Sequence, residues 1–306
     1  MVRVLFASDL QGDFGKYQAI VNHGNAHGID ALFLGGDFVD GAIPGNGGKQ
    51  KLDSAHARFI NDAVTSVLTE EEIKNLQGLN PEELQKTLQE LIKDKKEPIA
   101  KQFYDCVEKY ELNVIKQILS GYNGRKVGVL GNHDPEFLKK SLEGIVEFVD
   151  DGIVDIHGIK ISGLSDSYEP SAAASVLPEL YPHIKNYKPT NDEEITKETF
   201  SKSENPADVY LFHRGVTNRF APDQKNAPYT HDYNARKLVE EARVSGKDPL
   251  VLSGHFHHAD GGREKGIFQL KPGMFVYELN INDKSKQLVE IVIYKYVQDM
   301  AEKKAA

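Results

Sequence analysis

Short apolar runs that each end in a donor oxygen or nitrogen constrain this chain more than any other feature. Val2-Arg3-Val4-Leu5-Phe6-Ala7 leads into Ser8-Asp9-Leu10-Gln11, and Ala31-Leu32-Phe33-Leu34 into Gly35-Gly36-Asp37. Lys126-Val127-Gly128-Val129-Leu130 leads into Gly131-Asn132-His133-Asp134, and Val251-Leu252-Ser253 into Gly254-His255-Phe256-His257. A fifth run, Asp208 to Phe212, delivers His213. Apolar runs this short, bounded by glycine and aspartate, read as buried strands. In sheets built from strand–helix–strand units, ligands bind just beyond the carboxyl ends of the strands. Asp9, Asp37, Asn132, His213, His255 and His257 all fall there. In an extended segment His255 and His257 point the same way, so they could serve one metal ion or two. Carboxylate, amide and imidazole together suit Mn, Fe, Zn or Ni better than Ca or Mg. Cys106 lies far from these strand ends and takes no part.

Taken singly, these residues have ordinary explanations. Asp9 and Asp37 could cap turns, Asn132 could be a turn residue, and His213 a packed histidine. Their recurrence at successive strand ends is what argues for a metal site. The Gly45–Lys49 loop lacks the spacing of a phosphate-binding loop and the hydroxyl residue after its lysine, so it reads as a hinge.

The chain has 306 residues, long enough to bury a full core as a single domain, 1–306. A net charge of −9 argues against a broad electrostatic grip on nucleic acid. A small anionic substrate stays open, because two divalent ions would add about four positive charges locally. A lone cysteine excludes an intramolecular disulfide framework and fits a reducing, cytoplasmic setting. The first apolar run stops at Asp9, so no signal peptide is expected. No stretch approaches the ~20 apolar residues of a membrane span.

Helical spacing of Phe14, Tyr17, Ile20 and Val21 predicts a helix over residues 14–27. Residues 44–98 read as a helical insert, entered through Gly41, Gly45, Gly47 and Gly48. One stripe is Phe59, Ile60, Val64, Val67 and Leu68; another is Leu84, Leu88, Leu91 and Ile92, with a helix start at Asn80-Pro81. A third stripe, Phe103, Val107, Tyr110, Val114 and Ile118, leads back to the Lys126 strand. Residues 145–163 suggest antiparallel strands, and 166–207 a second insert with weak periodicity. A helix over 231–244 and a hairpin or meander over 266–296 complete the pattern. Both inserts follow ligand-bearing strand ends, where long insertions commonly form lids, so 44–98 is expected to cap the site. The rival is a dimerisation or packing element, and the oligomeric state stays open.

In order, Asp9-Leu10-Gln11, Gly36-Asp37-Phe38-Val39-Asp40, Gly131-Asn132-His133-Asp134, His213 and Gly254-His255-Phe256-His257 resemble the motifs of the calcineurin-like metallophosphoesterases, DxH, GDxxD, GNH(D/E), a lone His and GHxH. The resemblance implies a four-layer α/β/β/α sandwich of two mixed β-sheets with helical inserts. It also implies two divalent metal ions. Asp9 and His257 would hold the first, Asp37 would bridge, and Asn132, His213 and His255 would complete the second. His133 would be the general acid or a phosphate contact while a hydroxide bridging the ions attacks phosphorus. Gln11 departs from the pattern, which has histidine there, and a neutral amide oxygen makes the first site weaker or favours a harder ion. Arg214 could grip a phosphate bidentately or serve a structural ion pair. The function implied is hydrolysis of a phosphomonoester or phosphodiester. The rivals are a non-enzymatic binding module on the same fold and a nuclease; the acidic balance speaks against the nuclease.

Overall fold

The computed structural model describes residues 1–39, 66–76, 79, 83, 87, 90–91, 95–150, 152–165, 174, 178–183, 200–216, 233–255, 260–264, 267–271 and 276–294. Its strands are β1 (Val2–Ala7), β2 (Ala31–Leu34), β3 (Arg125–Gly128), β4 (Glu147–Phe148), β5 (Val154–Ile156), β6 (Ile159–Leu164), β7 (Val209–Phe212), β8 (Leu250–Ser253), β9 (Asp260–Glu264), β10 (Ile267–Lys271), β11 (Val276–Ile281) and β12 (Leu288–Tyr294). They form two six-stranded sheets, in the orders β12-β11-β1-β2-β3-β4 and β5-β6-β7-β8-β10-β9. In the first, β1 to β4 run parallel while β11 and β12 are antiparallel additions. In the second, β6, β7, β8 and β10 run parallel and the edge strands β5 and β9 are antiparallel. Both sheets are therefore mixed, with parallel centres whose carboxyl ends carry the loops of interest.

Period-two alternation sorts each strand's side chains between layers. Val2, Val4 and Phe6 of β1 join Phe33, Val127, Val209, Leu211, Leu250 and Leu252 in a core between the sheets. Leu5 and Ala7 face the other way, onto α1 (Phe14–His27), α3 (Lys96–Val107) and α4 (Asn113–Ser120). On the far side, Tyr210, Phe212 and Val251 pack against Ala235, Val239 and Ala242 of α6 (Tyr233–Val244). Helix, sheet, sheet, helix is the expected four-layer order. The strands are nearly all apolar because both of their faces are covered.

Helix α1 runs over the predicted residues. Asp13 caps it by accepting from the Lys16 N–H at 3.1 Å, and Gly28 ends it in the left-handed region at φ 60°. Elsewhere the structure corrects the sequence reading. A π-turn over Glu108–Leu112 joins α3 to α4. The extra residue rotates the fully buried stripe, which after Phe103 and Val107 continues through Leu112, Ile115 and Leu119, leaving Ile118 partly buried against the same core and Val114 outside it. Within 145–163, β5 and β6 pair antiparallel as expected, but β4 pairs parallel to β3. The short helix α5 (Phe137–Ser141) makes the crossover that a parallel pair requires. In the 266–296 stretch, β11 and β12 form the hairpin, while β10 belongs to the other sheet beside β8.

Of the 44–98 insert, the structure describes α2 (Glu70–Leu76) and a few flanking residues. Leu68 is buried, and Val67, Ile73, Leu76 and Leu91 pack on the same core as α1 and α3. Phe59, Ile60, Val64, Leu84, Leu88, Ile92, the Asn80-Pro81 start and the Gly45–Lys49 loop lie outside the described residues.

Candidate metal centre

The loops that follow β1, β2 and β3 meet those that follow β7 and β8 where the two sheets abut. Asp9, Asp37, Asn132 and His213 are buried there, and His255 is half-buried. His213 Nε2 lies 2.9 Å from Asn132 Oδ1 and 3.5 Å from Asp37 Oδ1. His255 Nδ1 lies 3.1 Å from Asn132 Oδ1 and 3.3 Å from His213 Nε2. Ligand atoms of Asp9, Asp37 and His213 all lie within 4.8 Å of one another. Five of the residues marked out by sequence are thus brought together from five separate strand ends.

The chain holds this arrangement with strained backbone. Asp9, Gln11, Asp37 and His255 have φ of 55°, 47°, 55° and 69°, in the left-handed region that non-glycine residues enter at a cost of roughly 1–3 kcal/mol each. Hydrogen bonds between the loops over-determine these conformations. Asp9 N–H donates to Gly36 O at 3.1 Å and Gln11 N–H to Asp37 O at 2.8 Å. His255 N–H donates to Asp9 Oδ2 and His133 N–H to Asp37 Oδ1, each at 3.0 Å. Contact is so close that a Cβ on Gly131 would collide with the Asp37 carboxylate, and one on Gly254 with Ser8 Oγ. This explains in space why glycine opens the GNH and GHxH segments.

A divalent cation fits these residues. Gly35 O can only accept, so His213 Nδ1, 2.8 Å away, is the protonated nitrogen and Nε2 presents its lone pair. With no proton on Nε2, that lone pair faces the oxygens of Asn132 and Asp37, acceptors turned toward an acceptor, and a cation between them would satisfy all three. Metal bonds of about 2.0–2.2 Å to nitrogen and oxygen place neighbouring ligands about 3.0–3.5 Å apart, near the separations found here. The electrostatics agree. Burial drives Asp37 upward, but His213, His133 and the His133 N–H outweigh it and hold the carboxyl at about 2. Burial lowers His213, yet the carboxylates of Asp37 and Asp9 carry it above its ordinary value.

Of the remaining expected residues, His133 is half-buried beside Asp37, bound through its backbone, and Gln11 is partly exposed, its N–H on the Asp37 carbonyl. Arg214 is only 1% exposed, the largest fully buried side chain. His257 and Asp40 lie outside the described residues.

Three supporting residues had no role in the sequence reading. Ser8 Oγ donates to Asp9 Oδ2 at 2.5 Å and reaches Gly35 O at 3.0 Å. Asp134, fully buried, accepts from the N–H groups of Phe38 (2.7 Å), Val39 (3.1 Å) and Gly131 (2.8 Å), tying the GDxxD loop to the GNH loop. Burial and the nearby Asp37 charge raise its carboxyl to about 6. His183 lies 3.0 Å from Gly131 O. Asp134 was signalled by its place in a motif; Ser8 and His183 had no signal of spacing.

The model of the calcineurin-like phosphoesterases matches residues 2–259. The chain belongs to that family, whose members depend on two metals and act on phosphoesters. Similar solved structures include TT1561 of Thermus thermophilus, at 11% identity, covering 95% of this chain and 98% of that one, with a TM-score of 0.42. A dimetal phosphatase from Danio rerio shows 10% identity, coverage of 96% and 99%, and a TM-score of 0.42. Yfce, a phosphoesterase from E. coli, shows 13%, coverage of 95% and 98%, and 0.33. Likeness at these values carries no argument about substrate. No curated protein matches the sequence.

Proposed function

We propose that this chain hydrolyses a phosphomonoester or phosphodiester with two divalent ions, drawn from Mn, Fe, Zn or Ni. The observation that carries the reading is the convergence of Asn132 Oδ1, His213 Nε2, His255 Nδ1 and Asp37 Oδ1 within 2.9–3.5 Å contacts. Asp37, Asn132, His213 and His255 would hold one ion, and Asp9, Gln11 and His257 would hold the other, with Asp37 serving both. When bound, the pair lowers the pKa of water and stabilises charge growing on phosphoryl oxygens. His133, partly open to solvent beside the shared carboxylate, donates the proton to the leaving oxygen. The buried His213 and the strained Asp9, Asp37 and His255 keep the donors preorganised, so no reorganisation is needed as charge develops.

Arg214 serves structure on this reading, since a guanidinium only 1% exposed is not presented to a substrate entering from solvent. The 44–98 insert is assigned as a cap that limits substrate size. A single cysteine suits work in the cytoplasm, and among the described residues no helix is long and apolar enough to cross a membrane. The test is turnover of two phosphoesters with Mn²⁺ by the wild type and by His133→Ala. Loss of kcat by about 10²–10⁴ on an ester with a poor leaving group, and a much smaller loss on a nitrophenyl ester, supports acid catalysis. Equal losses assign His133 to phosphate binding. No Mn²⁺-dependent turnover by the wild type overturns the enzymatic reading in favour of a binding module.

A further inference from the structure

The loop carrying Asn132 and His133 is strapped by a segment that belongs to none of the family's motifs. Residues 178–183 turn through a 3₁₀ segment, Pro178–Leu180, and lie against the loop at both ends. Glu136 N–H donates to Leu180 O at 2.7 Å. His183 Nε2 lies 3.0 Å from Gly131 O, and because a carbonyl only accepts, Nε2 is the donor. The ring's other nitrogen, Nδ1, lies 3.3 Å from Glu136 Oε2. One imidazole therefore spans the loop from the residue before Asn132 to its far end. It is 7% exposed, and Tyr181, 1% exposed, anchors the segment in the core against Phe103 at 6.4 Å between rings.

From Glu136 the contacts run on and close on themselves. Lys139 Nζ lies 3.0 Å from Glu136 and 3.0 Å from Asp150. Asp150 Oδ1 accepts from Ser165 N–H at 2.5 Å, and Ser165 Oγ accepts from Leu130 N–H at 2.7 Å. The belt starts at Gly131 O and ends at Leu130 N–H, adjacent positions immediately before Asn132. A cavity of about 460 Å³ lies along it, with His183, Glu136 and Ser165 in its wall. Water, not packing, would therefore take the place of a missing imidazole.

We infer that His183 is a positioning residue: by bonding Gly131 O and abutting Glu136 it holds Asn132 and His133 in place for metal binding and proton transfer. The inference rests on Asn132 being a metal ligand. Residues that orient ligands from behind commonly change metal affinity by about 10- to 100-fold when removed.

The experiment compares wild type, His183→Ala and His183→Gln in the full chain. It measures Mn²⁺ affinity by calorimetry, amide exchange over 130–137, and kcat and KM on a nitrophenyl phosphoester. For His183→Ala, we expect Mn²⁺ affinity to fall about tenfold and kcat to fall with it while KM holds within about twofold. Exchange at the Glu136 amide should quicken by about tenfold. Gln can still donate to Gly131 O and should restore most of each. Unchanged affinity and kcat overturn the inference, even if exchange quickens, because the strap would then be structural only. If His183→Ala does not fold, Glu136→Gln tests the other end of the contact. It should loosen the same amides and weaken Mn²⁺ by a few-fold, and no change in either overturns the inference. A wild type that binds Mn²⁺ but cleaves no phosphoester sinks the enzymatic reading alone, leaving His183 to be judged on affinity and exchange. A wild type that binds no Mn²⁺ overturns both.

Discussion

Replacing Asp134 with alanine tests how the two ligand loops are held. Its carboxylate receives three backbone N–H groups, from Phe38, Val39 and Gly131, at 2.7, 3.1 and 2.8 Å. A hydrogen bond to a charged acceptor contributes about 1.5–3 kcal/mol net, so three contribute roughly 4–9. Burial and the Asp37 charge outweigh those same N–H groups and still raise the carboxyl from 3.8 to about 6, so part of that gain is consumed in keeping the charge buried. Alanine removes both contributions but strands three buried N–H groups, and the net loss should be about 3–5 kcal/mol. For a chain of this size that lowers the melting temperature by roughly 5–8 °C. Asp134→Asn keeps one acceptor oxygen and the same shape, and should fall between. Urea denaturation gives the free energies, and Mn²⁺ calorimetry should show weaker binding, since Phe38 follows Asp37 and Gly131 precedes Asn132. A loss below about 1 kcal/mol with unchanged Mn²⁺ affinity would refute the argument that this one carboxylate couples the loops.

Gln11→His should tighten the weaker metal site, seen as slower loss of one metal equivalent on dialysis against chelator; two metals equally resistant to chelation in the wild type would remove the reasoning about Gln11. Arg214→Lys should lower the melting temperature while leaving KM within about twofold, because a compact ammonium on a flexible stem cannot fill the place of a planar guanidinium buried this completely; a raised KM with an unchanged melting temperature would instead restore Arg214 as a phosphate contact. His23 provides a pH prediction away from the metals. Burial lowers its pKa below 6.5, partly opposed by the hydrogen bond to Glu278. The unfolded chain then binds the proton more readily, so this stability is full above pH 6.5 and declines as pH falls through the folded-state value. Melting temperatures between pH 7 and pH 5 should drop less in His23→Gln than in the wild type, and parallel curves would count against it.

Where the candidate ligands lie was legible because each of them follows a strand end, and strand ends are a local property. Apolar runs such as Val4–Ala7 and Ala31–Leu34 announce themselves by composition, and the residue after each run is read directly. The same locality located α1 from its stripe. What failed also failed locally. The stripe through Phe103 and Val107 assumed an unbroken 3.6 period, and one inserted residue in the π-turn turned Val114 aside in favour of Ile115. The parallel pairing of β4 and the division of β10 and β11 between sheets depend on crossovers that periodicity does not encode.

The sequence by itself determined the donors, their chemical types and their order: Asp9, Asp37, Asn132, His213 and His255, each behind a buried strand, with the family motifs around them. Only the tertiary structure decided which donor atoms meet. Asn132 and His213 are 81 residues apart and reach 2.9 Å only because two sheets stack with their parallel strand ends together. It also decided the support. Ser8 and His183 carry no periodic signal, because a hydrogen bond to a distant carbonyl asks of a residue only its position in space, and that position is set by the packing of every layer around it.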